Sequence, residues 1–299
     1  MATLRPRAVV VTRETDYERL LAVHATREQA RFFLKTRGQD LDDLVARHEA
    51  FNQTLNEVRR AIPDTWRSAK VQRGDLDRFL FGPEDIVLAV GQDGLVANLA
   101  KYLTGQPVLG VNPAPDLFEG VLVPLRVEDV TRLAPAAADG GASIEHRTMA
   151  RATLDDGQSL QALNEIFVGH RSHQSARYLI RLRDKEERQS SSGVIIATGT
   201  GATGWARSIM TATHHPVPLK PADRRLGYFV REPWPSVATG VSIAAGALGA
   251  NQALSITSQM NDGGVIFADG IEQDRLEFGW GRKVEVTVAT QTLNLVRKD

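Results

Sequence analysis

The chain contains no cysteine. Disulfides, thiolate metal sites and a cysteine nucleophile are all excluded. It also lacks a surplus of either charge: Lys and Arg number 36, Asp and Glu number 36, and the formal charge is zero. That balance argues against a generic binder of nucleic acid or of an anionic membrane, and leaves room only for a local basic patch. No apolar run is long enough to span a bilayer. The start, Met1-Ala2-Thr3-Leu4-Arg5-Pro6, has no signal-peptide core. The expectation is a cytoplasmic protein with no membrane or nucleic-acid partner. What is present is ordinary for a globular protein, with 299 residues, 42% hydrophobic and 24% charged. This is enough to bury a sizeable core in two domains or one large one.

One stretch dominates the chain. The apolar run Val87-Leu88-Ala89-Val90 ends abruptly in Gly91-Gln92-Asp93-Gly94, and Leu95, Val96, Leu99, Tyr102 and Leu103 follow at helical spacing. A buried strand feeding a glycine-flanked turn and then a helix is a common place to hold phosphate. Glycines let the backbone approach a ligand closely, and the helix start supplies free N–H donors and partial positive charge. A carboxylate in such a loop repels phosphate. Asp93 therefore makes chemical sense as a group that handles a proton or a metal ion. The bland alternative is an ordinary turn, in which Asp and Gly serve backbone conformation.

Around that loop the pattern is α/β. Residues 8–12 read as a strand, 26–34 as a capped helix, 41–62 as a long amphipathic helix stopped by Pro63, and 67–71, 86–90 and 107–111 as further strands. Alternation of this kind suits a parallel sheet covered by helices, with the ligand crevice at the carboxyl ends of the strands. Beyond Asn112-Pro113-Ala114-Pro115 the texture turns to β, with runs at 144–154, 161–168, 175–182, 194–198, 227–231, 253–258, 265–268, 284–289 and 293–296, and one helix from near Ala202. The expected fold is a doubly wound α/β domain over residues 1–125, with the tail 290–299 packing back on it, and a β-rich domain over 126–289. Residues 183–188, Arg-Asp-Lys-Glu-Glu-Arg, read as a charged hairpin tip. His170-x-x-His173 has metal-site spacing but no third ligand, and reads as a turn.

Two further motifs carry chemistry. Asn164-Glu165 is a polar pair among apolar neighbours. Thr198-Gly199-Thr200-Gly201-Ala202-Thr203-Gly204-Trp205 is a β run that ends in a small-residue loop and enters a helix. Its N–H groups and hydroxyls suit an anion or ribose, and Trp205 suits stacking on a ring. It lacks the Lys of a Walker loop. Alone, such a segment is also read as a plain turn, and Asn164-Glu165 as part of a surface strand.

Taken in order, the three motifs resemble the NAD kinase family, part of a superfamily with diacylglycerol kinases and 6-phosphofructokinases. The family's Gly-Gly-Asp-Gly-Thr stands here as Gly91-Gln92-Asp93-Gly94-Leu95. Its Gly-x-Asn segment stands as Gly110-Val111-Asn112 with Gly120, its Asn-Asp/Glu pair as Asn164-Glu165, and its Thr-Pro-Thr-Gly-Ser-Thr-Ala-Tyr as Thr198 to Trp205. A late Asp-Gly is matched by Asp269-Gly270. The resemblance covers the chain from about Ile86 onward. It implies an α/β domain and a β-rich domain with the site between them, and transfer of phosphate from ATP or polyphosphate, with Mg²⁺, to the 2′-hydroxyl of the adenosine ribose of NAD.

Carried across, Asp93 is the general base. Gly91, Gln92 and Gly94 shape the phosphate loop, and Asn112 belongs to the same nucleotide-binding set. Asn164 and Glu165 hold the ribose or adenine. Thr198, Thr200, Gly201, Thr203, Gly204 and Trp205 line the dinucleotide pocket. No residue is assigned as a metal ligand, and the family's habit implies a homodimer or homotetramer.

Departures from the family pattern fall at Gln92, Leu95, Gly199, Ala202, Gly204 and Trp205. A further one is Ser192-Gly193, where the family has Asp-Gly with its acid at the nicotinamide end. Two other readings therefore stand beside NAD kinase. One is a kinase of the same fold acting on a sugar, polyol or lipid-headgroup hydroxyl. The other is a nucleotide-binding regulator without turnover.

Overall fold

The computed structural model describes residues 5–117 and 119–298. The chain divides into two compact units, Met1–Glu145 with Asn294–Asp299, and His146–Leu293.

The first unit opens with strand β1 (Arg7–Thr12), followed by helices α1 (Asp16–His24), α2 (Arg27–Lys35) and α3 (Leu41–Ala61). Each helix has a polar N-cap. Thr15, Thr26 and Asp40 accept the amides of Glu18, Gln29 and Asp42 respectively, which satisfies donors that the first turn leaves free. Strand β2 (Arg67–Gln72), strand β3 (Asp85–Val90), helix α4 (Asp93–Ala100), strand β4 (Pro107–Val111) and helix α5 (Val127–Ala138) complete it.

The strands run parallel in the order β2-β1-β3-β4. Strand β3 is buried at every residue, as a central strand covered on both faces must be. Val10, Leu88 and Leu109 from the sheet, Leu55 and Val58 from α3, and Val130 and Leu133 from α5 form one core. Residues 126–145, set beyond the boundary by the sequence, therefore lie in the first unit: α5 buries its apolar stripe there.

The second unit contains all but the first two residues of strand β5 (Ile144–Leu154), then strands β6 (Ser159–Ala162), β7 (Glu165–His170), β8 (Ala176–Leu182), β9 (Lys185–Ser191) and β10 (Val194–Ala197), helix α6 (Trp205–Thr213), strands β11 (Arg225–Val230), β12 (Ala245–Gly249), β13 (Leu254–Ser258), β14 (Gly264–Ala268) and β15 (Ile271–Glu277), and all but the last three residues of β16 (Lys283–Val296). One antiparallel sheet has the order β12-β11-β10-β7-β14-β15. A second group pairs β16 with β13, β13 with β8, β8 with β9, and β5 with β6.

Ile166, Val168, Val194 and Ile196 of the first sheet meet Ile180, Ile256 and Val286 of the other group in a shared core. This is the arrangement of two packed layers that alternating strands produce. The opposite face of the first sheet, with Phe167, Ile195, Phe229 and Val265, is covered by Ala206, Ile209 and Met210 of α6.

Three local expectations differ from the structure. The run 161–168 is broken at Leu163-Asn164, where the backbone turns to a carboxylate described below. The charged run 183–188 turns only at Arg183-Asp184, and the rest belongs to β9, which pairs with β8 from Ala176↔Ser191 to Leu182↔Lys185. Its charges suit a strand at the edge of a sheet. Residues 284–296 form one continuous strand rather than two. Among the described residues no helix is long and apolar enough to cross a membrane.

One buried ion pair closes the base of β1 and β3. The Asp85 carboxylate is fully buried, and Arg7 grips it from Nε at 2.7 Å and from Nη2 at 2.6 Å, while the Gly82 amide donates at 2.8 Å. Asp85→Ala leaves both donors without their acceptor. Because the Arg7 side chain keeps 25% exposure, the expected loss is about 2–3 kcal/mol. It reads out as a lower urea midpoint at unchanged slope, and an unchanged midpoint contradicts the role given to this pair.

Candidate functional site

In the first unit, β3 and β4 pair with Val90 opposite Val111. Gly91 and Asn112 therefore leave the sheet side by side at its carboxyl end. The Gly91 amide donates to the Val111 carbonyl at 3.1 Å. Gly91, Gln92 and Asp93 then turn directly into α4, with Gln92 as the capping residue but without a side-chain cap bond. Leu95 is buried against Gly91, and a β-carbon at Gly91 would lie 3.2 Å from it. The departure at Leu95 thus serves packing beneath the loop.

Asp93 is half-buried, and its position is fixed. Its Oδ1 accepts the Leu122 amide at 2.8 Å and its Oδ2 accepts the Val121 amide at 3.1 Å. The segment that supplies these amides is held by two small residues. A β-carbon on Gly110 would collide with the Leu122 carbonyl. Gly120 lies at φ +67°, a conformation that glycine adopts without strain, and a side chain there would press on Asn112 Nδ2. Asn112 is buried, its Oδ1 accepts the Ala114 amide at 3.0 Å, and its own amide donates to Leu125. Gly91, Gln92, Asp93, Gly94 and Asn112 are therefore one local assembly. A cavity of about 320 Å³ opens beside it, lined by Gly91 and Gln92 together with Arg13, Tyr17, Arg47 and His48. Neither Arg13 nor Arg47 carried a motif that would have singled it out.

In the second unit the assembly is built around Asp269. This residue sits in the turn between β14 and β15 at φ +51°. Its carboxylate accepts the amides of Asn164 at 2.7 Å, Leu163 at 3.0 Å and Glu165 at 3.3 Å, and its own amide donates to the Glu165 carbonyl at 3.0 Å. Thr198 completes the clasp. Its amide donates to the Asn164 carbonyl at 2.9 Å, its hydroxyl donates to the Leu163 carbonyl, and the same oxygen accepts the amides of Thr200 and Gly201. A β-carbon on Gly201 would fall on the Asn164 carbonyl, and one on Gly199 on the Lys220 carbonyl. The small residues of this loop are thus required by close backbone approach on both sides.

Thr203 and Gly204 are exposed at the start of α6, with the Thr203 hydroxyl donating to the Thr200 carbonyl at 2.9 Å. The Trp205 ring lies parallel to Phe167, with centroids 6.1 Å apart, and the Arg231 guanidinium stands 5.3 Å from its centroid on the ring face. Arg147, which the sequence reading passed over, is buried and donates to the Thr200 hydroxyl at 3.4 Å. An arginine inside the β run 144–154 was the available signal.

Asn164, Glu165, Thr198, Thr200, Gly201, Thr203, Gly204 and Trp205 all belong to this one region of the second unit. His170 and His173 line a cavity there with no third ligand beside them, and no cluster of three metal-binding side chains occurs among the described residues.

No family model matches the chain. It is 26% identical over 257 residues to NAD kinase 2, mitochondrial, of Rattus norvegicus, the match covering 68% of this chain and 60% of that protein. It is 31% identical over 127 residues to the NAD kinase of Chlorobaculum tepidum, covering 42% and 44%. The matches thus span about half the length of these curated relatives. Among solved structures, yeast NADH kinase complexed with NADH superposes with a TM-score of 0.61 at 15% identity, covering 99% of this chain and 85% of that one. The NAD kinase from Archaeoglobus fulgidus in complex with ATP gives 0.59 at 17%, covering 98% and 94%. At those identities the likeness is one of fold.

Burial, and secondarily the neighbouring Asp269 carboxylate, push the Glu165 carboxyl from near 4.5 up to about 7. The folded protein therefore favours neutral Glu165. The stability this group contributes is complete below about pH 4.5 and is lost as pH rises through about 7. Glu165→Gln should abolish that loss and make the variant the more stable protein at pH 8, by up to about 3 kcal/mol. Urea midpoints of both proteins measured from pH 4 to 8 check this, and parallel curves contradict it.

Proposed function

We propose that this chain, a divergent relative of the NAD kinases, is an ATP-dependent phosphotransferase that phosphorylates the 2′-hydroxyl of the adenosine ribose of NAD to give NADP. One observation carries the proposal. Residues 163–165, 198–201 and 269, separated by up to 106 positions, are hydrogen-bonded into a single cluster around the Asp269 carboxylate and the Thr198 hydroxyl. That is the order and grouping the family motifs require of a dinucleotide site.

In the reaction, the ribose hydroxyl oxygen attacks the γ-phosphorus, the bond from that phosphorus to the β-phosphate oxygen breaks, ADP leaves, and the hydroxyl proton passes to a base. Asp93 is that base. The Val121 and Leu122 amides hold its carboxylate in one orientation, and each oxygen keeps lone-pair capacity for the proton. Gly91, Gln92 and Gly94 shape the loop for the phosphates, aided by Arg13 and Arg47 in the adjoining cavity.

Asn164 and the carboxyl of Glu165 hold the ribose or adenine. Thr200, Gly201, Thr203, Gly204 and Trp205 line the dinucleotide pocket. Mg²⁺, which neutralises phosphate charge when bound, fits this chain as an ion carried by ATP itself, since no three metal-binding side chains cluster among the described residues and such ions keep phosphate and water ligands. A cytoplasmic location and assembly as a homodimer or homotetramer belong to the same proposal.

The test is NADP formation by the purified protein with ATP, Mg²⁺ and NAD. Asp93→Asn should lower kcat by about 10²–10⁴-fold, the usual weight of a general base, while the dinucleotide still raises Tm. Near-normal turnover in Asp93→Asn removes that residue from the chemistry. ATP consumption with a sugar or polyol but not with NAD would instead favour a same-fold kinase with another acceptor.

A further inference from the structure

Five threonines lie from Thr198 to Thr213. Four of them spend the hydroxyl proton on a backbone carbonyl: Thr198 on Leu163, Thr203 on Thr200, Thr211 on Arg207 and Thr213 on Ile209. Local bonds of this kind are the ordinary resting place of a threonine proton. Thr200 is the exception. Its hydroxyl donates to no acceptor among the described residues, although the residue is only 5% exposed. A buried donor left unspent is costly, and most buried polar groups avoid that state.

Arg147 accounts for the exception. This residue of β5 is 3% exposed, and its Nη1 donates to Thr200 Oγ1 at 3.4 Å. A guanidinium has donors only and keeps its charge at any physiological pH. A hydroxyl has two lone pairs and one proton. With the cation on a lone pair the proton turns away from it, and burial sharpens that preference because a low dielectric strengthens the field.

The rest of Thr200 is already committed. Its amide donates to Thr198 Oγ1 at 3.1 Å, and its carbonyl accepts the Thr203 hydroxyl at 2.9 Å and the Thr203 amide at 3.3 Å. The O–H is the one polar function of this residue left for a ligand.

We infer that Arg147 is a positioning residue that fixes Thr200 as a donor toward the dinucleotide. The ligand atom that meets Thr200 is then a hydrogen-bond acceptor, a ribose oxygen or a ring nitrogen, and never an N–H or O–H presented as donor. The identity of the ligand rests on the kinase proposal above, whereas the polarity rests on the Arg147–Thr200 contact. Arg147 acts through the hydroxyl alone, so its weight falls on binding and leaves the transfer step to Asp93.

The experiment measures Kd for NAD by calorimetry, and kcat and KM with ATP and Mg²⁺, in Thr200→Val, Arg147→Gln, the double variant and Arg147→Lys. Thr200→Val keeps the shape and lacks the proton. It should raise Kd and KM about tenfold, the weight of one hydrogen bond, with kcat within about threefold of wild type. Arg147→Gln offers the hydroxyl a carbonyl oxygen that takes the proton, and should cost about as much. The double variant should bind no worse than either single one, since both changes remove the same donor. Arg147→Lys, a cation with donors only, should stay within about threefold of wild type.

An arginine with a merely structural role would weaken binding equally with Thr or Val at position 200. A roughly hundredfold loss in the double variant therefore overturns the inference. Unchanged affinity in Thr200→Val also overturns it, since water then takes the proton, and that variant decides the matter if Arg147→Gln does not fold. Both results leave the kinase intact where NADP still forms. NAD bound but not phosphorylated overturns the kinase proposal alone, and no binding of NAD overturns both.

Discussion

The second unit depends on one carboxylate turned toward backbone rather than solvent. Asp269 gathers the amides of Leu163, Asn164 and Glu165, three donors that a continuous strand would have spent in its ladder. Satisfying them with a charged acceptor makes the break between β6 and β7 a stable feature, since charge-assisted bonds to backbone N–H groups are among the stronger ones. The break frees Asn164 from the sheet and puts its carbonyl under Thr198 and Gly201. Two segments far apart in sequence are thereby locked together, and the cost is borne by Glu165. Placed near a like charge and half out of water, it has its carboxyl pushed up to about 7. A strained φ of +51° at Asp269 belongs to the same device.

The first unit solves a similar problem differently. Asp93 also accepts backbone amides, but from a segment that returns alongside β4 only because Gly110 and Gly120 let it approach. A parallel sheet supplies the rest: with β3 and β4 in register, the residues following them emerge together. Position and orientation of the carboxylate are thus set by backbone alone. Fixed orientation is the property that phosphoryl transfer demands most of a protein.

The sequence made the β3–α4 loop legible because its apolar run stops at one residue and the helical period starts within two. It also made the parallel and antiparallel textures legible, since buried strands read differently from alternating ones. Strand β12 escaped it, because Ala245–Gly249 is built of small residues with almost no β signal. The amides that hold Asp93 escaped it too, for backbone donors carry no residue signature. Arg13 and Arg47 of the cavity beside the β3–α4 loop were equally invisible, because their meaning comes from residues scattered along the chain and joined only by folding. Asp269 was visible only as half of an Asp-Gly turn, and its bracket on residues 163–165 lies in the tertiary structure.

The central claim is transfer of the γ-phosphate to a ribose 2′-hydroxyl with Asp93 as base, on a scaffold shared with the NAD kinases. The most direct measurement is ³¹P NMR of the product formed from ATP, Mg²⁺ and NAD. The account predicts one new phosphomonoester resonance, coupled to the adenosine 2′-proton and absent with Asp93→Asn. A phosphate at any other position, or equal product from the Asp93→Asn protein, would contradict it.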